Sequence, residues 1–144
     1  RNELAEGGYD LCGHHLVLED VDIPLCAVAC ETDHIAPWKD SYRGVQKMGS
    51  KDKTFIMTQS GHIAGIVNPP SKGKYGHYTN PDLKLEYEDW LAGADFTEGS
   101  WWPRWEKWLD RRSGEMIPAR KPGDGGREIL CDAPGTYVAV KARG

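Results

Sequence analysis

The sequence predicts an α/β fold built around a βαβ unit with parallel strands. Residues 23–30 form a nearly unbroken apolar run between acidic segments, which is typical of a strand buried on both faces of a parallel sheet. A helix is expected from Pro37 to about Met48, where Gly49 ends it. Residues 54–58 form a second short apolar run. Strand, helix and strand within about 35 residues predict a parallel pair with a right-handed crossover.

The middle of the chain predicts a loop followed by helices. Residues 68–76 are rich in proline and glycine, which exclude regular structure, and residues 87–94 predict a short helix. A clearer helix is expected to begin at Ser100, which is a good N-cap residue. One face of that helix carries large aromatic side chains, which we expect to be buried on the main body: Trp101, Trp105 and Trp108.

The last part of the chain predicts a linker and a single strand. Residues 114–126 are rich in glycine and proline, and residues 133–141 read as a turn and one alternating strand that must pair with another. We therefore expect one domain in two parts. Residues 1–95 would hold the βαβ unit and the histidine loop, and residues 96–144 the tryptophan-rich helix and the terminal strand.

Composition limits the classes of function. The chain has 144 residues, 39% of them hydrophobic, which suffices for one domain. Its net charge of −4 and the lack of a Lys/Arg block argue against nucleic-acid binding. It has no apolar run long enough for a transmembrane segment and no signal-peptide pattern, so we expect a cytoplasmic protein. The chain begins at Arg1, in a polar stretch, which predicts that it is part of a longer protein.

The cysteines do not predict a disulfide framework or a metal site. They are Cys12, Cys26, Cys30 and Cys131. Four cysteines are too sparse for a secreted disulfide scaffold, and no second Cys or His pair follows Cys26 and Cys30 at ligand spacing. We expect these two to be small buried hydrophobic residues, and we expect no metal.

Two side chains with complementary chemistry follow the two predicted strands. Asp33 lies just past the first strand, and His62 lies four residues past the second. The carboxyl ends of parallel strands meet at one edge of a sheet, so the two side chains are expected to meet. A carboxylate that binds one imidazole nitrogen leaves the other free to act as a general base. Spacing alone is weak evidence, because a histidine in a loop is usually only solvated or hydrogen-bonded.

Four sequence blocks resemble successive blocks of class I polyhydroxyalkanoate synthases. They are Glu-Thr-Asp-His-Ile-Ala-Pro-Trp at residues 31–38, Ser-Gly-His-Ile-Ala-Gly-Ile-Val-Asn-Pro-Pro at 60–70, Trp-Leu-Ala-Gly-Ala at 90–94 and Gly-Ser-Trp-Trp-Pro-Arg-Trp-Glu-Lys-Trp-Leu at 99–109. The resemblance covers nearly the whole chain, including Ala-Pro-Gly-Thr-Tyr at residues 133–137. Few families share both the Gly-His-Ile-Ala-Gly and the Ser-Trp-Trp sequences.

The resemblance implies the C-terminal portion of an α/β-hydrolase fold and an acyltransferase activity. In this family a cysteine attacks a (R)-3-hydroxyacyl-coenzyme A thioester, here expected to be 3-hydroxybutyryl-coenzyme A, and the growing polyester is lengthened as coenzyme A leaves. His62 would be the general base, and Asp33 the acid of the triad and a helper in activating the incoming 3-hydroxyl. Trp38 and Ile63, which flank this pair, are candidates for the acyl pocket.

The resemblance also implies partners and a location. Coenzyme A would be part of the substrate and a product, and no other cofactor is expected. The full enzyme would be a homodimer that binds the growing polyester and sits at the surface of polyester granules in the cytoplasm.

One departure from the family pattern matters for activity. The family's nucleophile lies in a Gly-x-Cys-x-Gly turn, and no cysteine of this chain does. The chain alone is therefore expected to be inactive. Two alternatives stay open: a hydroxyacyl thioester or ester hydrolase of the same fold, and a non-catalytic module that docks on granules through its tryptophans.

Overall fold

The computed structural model describes residues 2–141 and divides the chain into two compact units. One unit contains the described residues up to Ser113, and the other begins at Gly114. The predicted boundary at residue 95 therefore falls inside the first unit, which also includes the tryptophan-rich helix. None of the helices within residues 2–141 is long and apolar enough to cross a lipid bilayer.

Among the described residues, all the strands and α-helices lie in the first unit. Its strands are β1 (Tyr9–Leu11), β2 (His14–Leu16), β3 (Leu25–Cys30), β4 (Lys53–Thr58), β5 (His77–Thr79) and β6 (Asp95–Thr97). Its α-helices are α1 (Trp38–Lys47), α2 (Tyr87–Ala92) and α3 (Trp102–Asp110). The strands β3, β4, β5 and β6 form one sheet in that order, and β1 and β2 form a separate antiparallel hairpin.

The predicted βαβ unit is confirmed. Strands β3 and β4 pair in parallel, with Leu25 opposite Lys53 and Cys30 opposite Thr58. Helix α1 connects them and contacts both strands. The predicted burial of β3 on both faces is only partly right, because its first four residues are half-buried and only Ala29 and Cys30 are buried.

The sheet is mixed, which the sequence did not predict. Strand β5 pairs with β4 and strand β6 with β5, and both pairings are antiparallel. Each of these strands has three residues. Such short segments carry too few positions for an alternating pattern to be recognised. The observed class is therefore α/β with a mixed sheet and few helices.

Aromatic rings form the centre of the core. Tyr42 from α1, Phe55 from β4 and Trp90 from α2 are at most 1% exposed. Their ring centroids lie between 5.2 and 5.4 Å apart, and the edge-on and tilted geometries are those that aromatic pairs prefer. The Tyr42 hydroxyl donates a hydrogen bond of 2.9 Å to the carbonyl of Leu85. The cluster thus holds α1, α2 and the sheet together.

Helix α3 begins later than predicted, and its tryptophans differ in burial. Ser100 precedes the helix by two residues, but its hydroxyl accepts a hydrogen bond of 3.1 Å from the N–H of Trp102. Trp101 is buried and Trp108 is half-buried, whereas Trp105 is 41% exposed. The expected burial of this face is therefore right for Trp101, partly right for Trp108 and wrong for Trp105.

The predicted terminal strand is wrong. Between Gly114 and residue 141 the regular structure is one 3-10 turn, Tyr137–Ala139. A strand needs a hydrogen-bonded partner, and none pairs with this segment among the described residues. Gly135, with a φ of 84°, turns the chain just before it, and Tyr137 and Val140 are each 77% exposed.

We predict that Trp90→Ala lowers the free energy of unfolding by about 3–5 kcal/mol, because it empties the centre of the aromatic cluster. Trp105→Ala makes the same chemical change at a site that is 41% exposed, and it should cost about 1 kcal/mol or less. Urea denaturation of this chain, followed by circular dichroism, measures both values. Equal losses in the two variants would contradict this account of the core.

Candidate active site

Strands β3 and β4 end side by side, and their following loops are joined by backbone hydrogen bonds. The N–H of Glu31 donates to the Thr58 carbonyl at 2.8 Å, and the N–H of Thr32 donates to the Ser60 carbonyl at 3.1 Å. These bonds continue the parallel pairing past the strand ends. The loops that carry Asp33 and His62 therefore leave the sheet together at one edge.

Asp33 and His62 are hydrogen-bonded, as the strand order predicted. Oδ2 of Asp33 lies 2.7 Å from Nδ1 of His62. The other carboxylate oxygen, Oδ1, accepts hydrogen bonds of 2.9 and 3.0 Å from the N–H groups of Ile35 and Ala36. Only 6% of the Asp33 side chain is exposed, against 48% for His62. The carboxylate is thus fixed by its own loop, and the imidazole extends from it toward solvent.

The electrostatics of Asp33 determine which imidazole nitrogen carries the proton. The pKa of the Asp33 carboxyl is lowered to about 2, and the hydrogen bond from the Ala36 N–H is the largest cause. The hydrogen bonds from His62 and Ile35 lower the pKa further, whereas desolvation of the carboxylate raises it. An ionised carboxylate can only accept hydrogen bonds, so Nδ1 of His62 is the donor. In the neutral imidazole the lone pair then lies on Nε2, which has no partner among the described residues.

This arrangement is suited to general-base chemistry. The Asp33 carboxylate accepts from the Nδ1–H of the neutral imidazole and orients the ring, which leaves Nε2 as a free basic nitrogen. The His62 side chain is half exposed. The carboxylate also stabilises the imidazolium that forms when Nε2 takes a proton. The pair can therefore accept a proton from a nucleophile and return it to a leaving group.

The loop that carries the histidine is tightly packed at Gly65. We call residues 59–67 the His62 loop. A Cβ on Gly65 would lie 2.7 Å from Cys30 Sγ and 2.8 Å from the carbonyl oxygen of Gln59. Both contacts are closer than side chains tolerate, so this position needs glycine. Ser60, in the same loop, has a φ of 75°, which shows how sharply the chain turns after β4.

Two indole groups also bind the His62 loop, and no pattern in the sequence predicted these contacts. Trp101 Nε1 donates to the carbonyl of Gly65 at 3.1 Å, and Trp102 Nε1 donates to the carbonyl of Ile66 at 2.9 Å. The helical spacing of the tryptophans predicted a packed face but not hydrogen bonds to a loop some 36 residues earlier.

The two residues proposed for the acyl pocket lie in different surroundings. Trp38 is 8% exposed and packs into the aromatic core beside Tyr42 and Trp90. Ile63 directly follows His62 and is 72% exposed. His34 is exposed and makes no hydrogen bond to Asp33. A substrate contact by Trp38 or Ile63 stays a prediction.

The two cysteines of β3, Cys26 and Cys30, are poor nucleophiles. Burial raises the pKa of the Cys30 thiol, and the charge of Asp33 raises it further. Burial likewise raises the pKa of the Cys26 thiol, against a smaller opposite effect of Arg112. Both groups are thus held as thiols, whereas a reactive cysteine needs its thiolate.

We predict that the Asp33 carboxyl titrates at a pKa of about 2 in this chain, as carbon-detected NMR can measure. In His62→Ala the pKa should rise but stay below the ordinary value of about 3.9, because the Ala36 N–H is the larger cause. Since the folded-state pKa is depressed, Asp33 stabilises the fold above about pH 4 and loses this contribution as the pH falls toward 2. An ordinary aspartate pKa in the unsubstituted chain would contradict the described geometry.

Comparison with known proteins identifies the relatives of this sequence. No protein-family model matches it. It is 45% identical over 138 residues to the poly(3-hydroxyalkanoate) polymerase subunit PhaC of Rhizobium etli, an alignment that covers 96% of this chain and 22% of that protein. It is 44% identical over 142 residues to the poly(3-hydroxyalkanoate) polymerase of Methylorubrum extorquens, with 98% and 23% covered. It is 39% identical over 145 residues to the polymerase subunit of Cupriavidus necator, with 99% and 24% covered.

The chain thus spans less than a quarter of the length of these relatives. The resemblance expected from the four sequence blocks is confirmed. Over nearly all of its length, this chain is a relative of the poly(3-hydroxyalkanoate) polymerases and corresponds to a C-terminal portion of them.

Proposed function

We propose that this chain supplies the acid and the base of a Cys-His-Asp triad in a polyhydroxyalkanoate synthase. The single observation that carries the proposal is the 2.7 Å hydrogen bond between Asp33 and His62 at one sheet edge. In a relative of poly(3-hydroxyalkanoate) polymerases, a hydrogen-bonded Asp-His pair with a free imidazole nitrogen is best explained as the activating half of a triad.

The α/β-hydrolase fold belongs to the same proposal. Support comes from the parallel β3–α1–β4 unit and from the order of the two residues, with the acid after one strand and the base after the next. In α/β hydrolases the triad residues follow in the order nucleophile, acid, base. The antiparallel β5 and β6 would then extend the sheet at the edge beyond the histidine strand.

The proposed first step is acylation of a cysteine that lies outside these 144 residues. Nε2 of His62 takes the proton of the thiol, and the thiolate attacks the thioester carbonyl of a (R)-3-hydroxyacyl-coenzyme A. The bond between the carbonyl carbon and the coenzyme A sulfur then breaks, and His62 returns the proton to the leaving thiolate. Asp33 holds the imidazole in position and stabilises its charged form throughout.

The second step transfers the growing chain. The 3-hydroxyl of a hydroxyacyl unit gives its proton to Nε2 of His62 and attacks the carbonyl carbon of the acyl-cysteine. The bond between that carbon and the cysteine sulfur breaks as the ester bond forms, and His62 returns the proton to the released cysteine thiolate. Asp33 contributes to activating that hydroxyl as well as to holding His62. The substrate class is the short-chain type represented by 3-hydroxybutyryl-coenzyme A, and Ile63, exposed beside His62, is better placed than Trp38 to touch its acyl group.

Partners and location follow from the same proposal. A homodimeric synthase at the granule surface in the cytoplasm would hold this segment, and coenzyme A would enter as part of the substrate and leave as a product. Because the segment has no cysteine in a Gly-x-Cys-x-Gly turn, it is inactive by itself. Docking on granules through the tryptophans is the less favoured function, since only Trp105 of the three on that face is exposed.

The base assignment is tested in a chimera. The matching segment of the Rhizobium etli polymerase is replaced by this chain, which restores a full-length context. His62→Ala in the chimera should slow polymer formation from hydroxybutyryl-coenzyme A by about 10² to 10⁴, the usual range for loss of a general base. His34→Ala, at an exposed position without a bond to the pair, is the matched control and should leave the rate unchanged. Full activity of His62→Ala would refute the proposal.

Asp33→Asn separates the two roles of the acid. The variant keeps part of the imidazole's ability to activate the cysteine, so the first release of coenzyme A should survive better than repeated elongation. A single-turnover measurement of coenzyme A release, made beside steady-state polymerisation in the same chimera, compares the two steps. If both steps fall by the same factor, Asp33 has no separate role in activating the hydroxyl.

A further inference from the structure

We infer that the indole N–H groups of Trp101 and Trp102 position the His62 loop and thereby hold the imidazole against Asp33. The two tryptophans are thus positioning residues for the pair, not only packing groups of α3. Their catalytic importance rests on the proposed function, but the positioning itself is a property of this chain and is testable without turnover.

The two indoles bind successive carbonyls of one turn. Trp101, which is 9% exposed, donates to Gly65, and Trp102 donates to Ile66. The two rings are nearly perpendicular, at 76°, with centroids 6.4 Å apart, so adjacent residues at the start of one helix reach adjacent residues of the loop. The Trp101 bond is buried and the Trp102 bond is partly buried, and hydrogen bonds removed from water are costly to leave unmade.

The hydrogen bond to the Gly65 carbonyl restrains the turn that carries His62. The N–H of Gly65 donates to the carbonyl of Gly61 at 2.9 Å, which closes a single turn around His62. The Gly65 carbonyl, which accepts from Trp101, also lies 3.4 Å from the Thr58 hydroxyl at the end of β4. A shift of Gly65 would therefore move the backbone on which the imidazole is carried.

The exposed residues of the loop contribute little packing of their own. Residues 62–64 are exposed, so their side chains bury little apolar surface. Within the described chain, the His62 side chain is held by its hydrogen bond to Asp33. The hydrogen bonds from Asp33, Trp101 and Trp102, together with the close packing of Gly65, thus fix the position of the imidazole.

The test removes one N–H group at a time. Trp101→Phe and Trp102→Phe each keep an aromatic ring but cannot donate to the loop. Trp105→Phe is the matched control, because it makes the same change on the same helix at an exposed indole that makes no hydrogen bond to the His62 loop. Nitrogen NMR of this chain reports which His62 nitrogen carries the proton, and amide hydrogen exchange reports the opening of the Gly65 turn.

The inference predicts a local effect. The Gly65 amide in Trp101→Phe and the Val67 amide in Trp102→Phe should each exchange about five- to tenfold faster. In both variants the Nδ1–H form of His62 should lose population. The Phe55 amide in β4 serves as an internal reference and should be unchanged, as should every signal of the loop in Trp105→Phe. If Trp101→Phe destabilises the whole chain, the partly buried Trp102→Phe decides the question.

The inference would be overturned if Trp102→Phe left both the amide exchange of the His62 loop and the tautomer of His62 as they are in the unsubstituted chain. Because the measured quantities are amide exchange and the tautomer of His62, and not the rate of polymerisation, this outcome is distinct from failure of the proposed function, which the His62→Ala chimera reports.

Discussion

In-register parallel pairing of β3 with β4 determines where the site forms, because it ends both strands at the same level, with Cys30 opposite Thr58. Two further backbone bonds carry this alignment into the loops. This alignment places Asp33 and His62 within hydrogen-bonding distance, although they are 29 residues apart in sequence. Slippage of the register by one residue would turn every side chain of a strand to the other face, and it would separate the carboxylate from the imidazole.

Different neighbouring groups fix the carboxylate, the imidazole tautomer and the His62 loop. The N–H groups of Ile35 and Ala36 fix the carboxylate and keep it ionised. The carboxylate fixes the tautomer of the imidazole. The indoles of Trp101 and Trp102 hold the loop at Gly65 and Ile66. A base that is oriented before substrate arrives loses little entropy when it acts, which is the general advantage of preorganised sites.

The sequence predicted the part of the fold that depends on local pattern. The apolar runs gave β3 and β4, Pro37 and Gly49 bounded α1, and the order of Asp33 and His62 after the two strands predicted their contact. These features follow from periodicity and strand order, which are readable from one chain.

The features that the sequence missed depend on tertiary partners. Strand β5 forms on the free edge of β4, and β6 forms on the free edge of β5. Residues 133–141 do not form a strand because no edge pairs with them among the described residues. The same holds for the indole bonds of Trp101 and Trp102. Whether an aromatic side chain only packs or also donates a hydrogen bond depends on which carbonyl lies beside it.

The central claim, that His62 activates a cysteine while Asp33 holds it, is tested most directly by the reactivity of that cysteine. The rate of alkylation by iodoacetamide, measured against pH in the chimera with the Rhizobium etli polymerase, reports the thiolate population. The account predicts that His62→Ala shifts the midpoint of this profile to higher pH, whereas His34→Ala leaves it in place. A profile that is identical with and without the His62 imidazole would contradict the account.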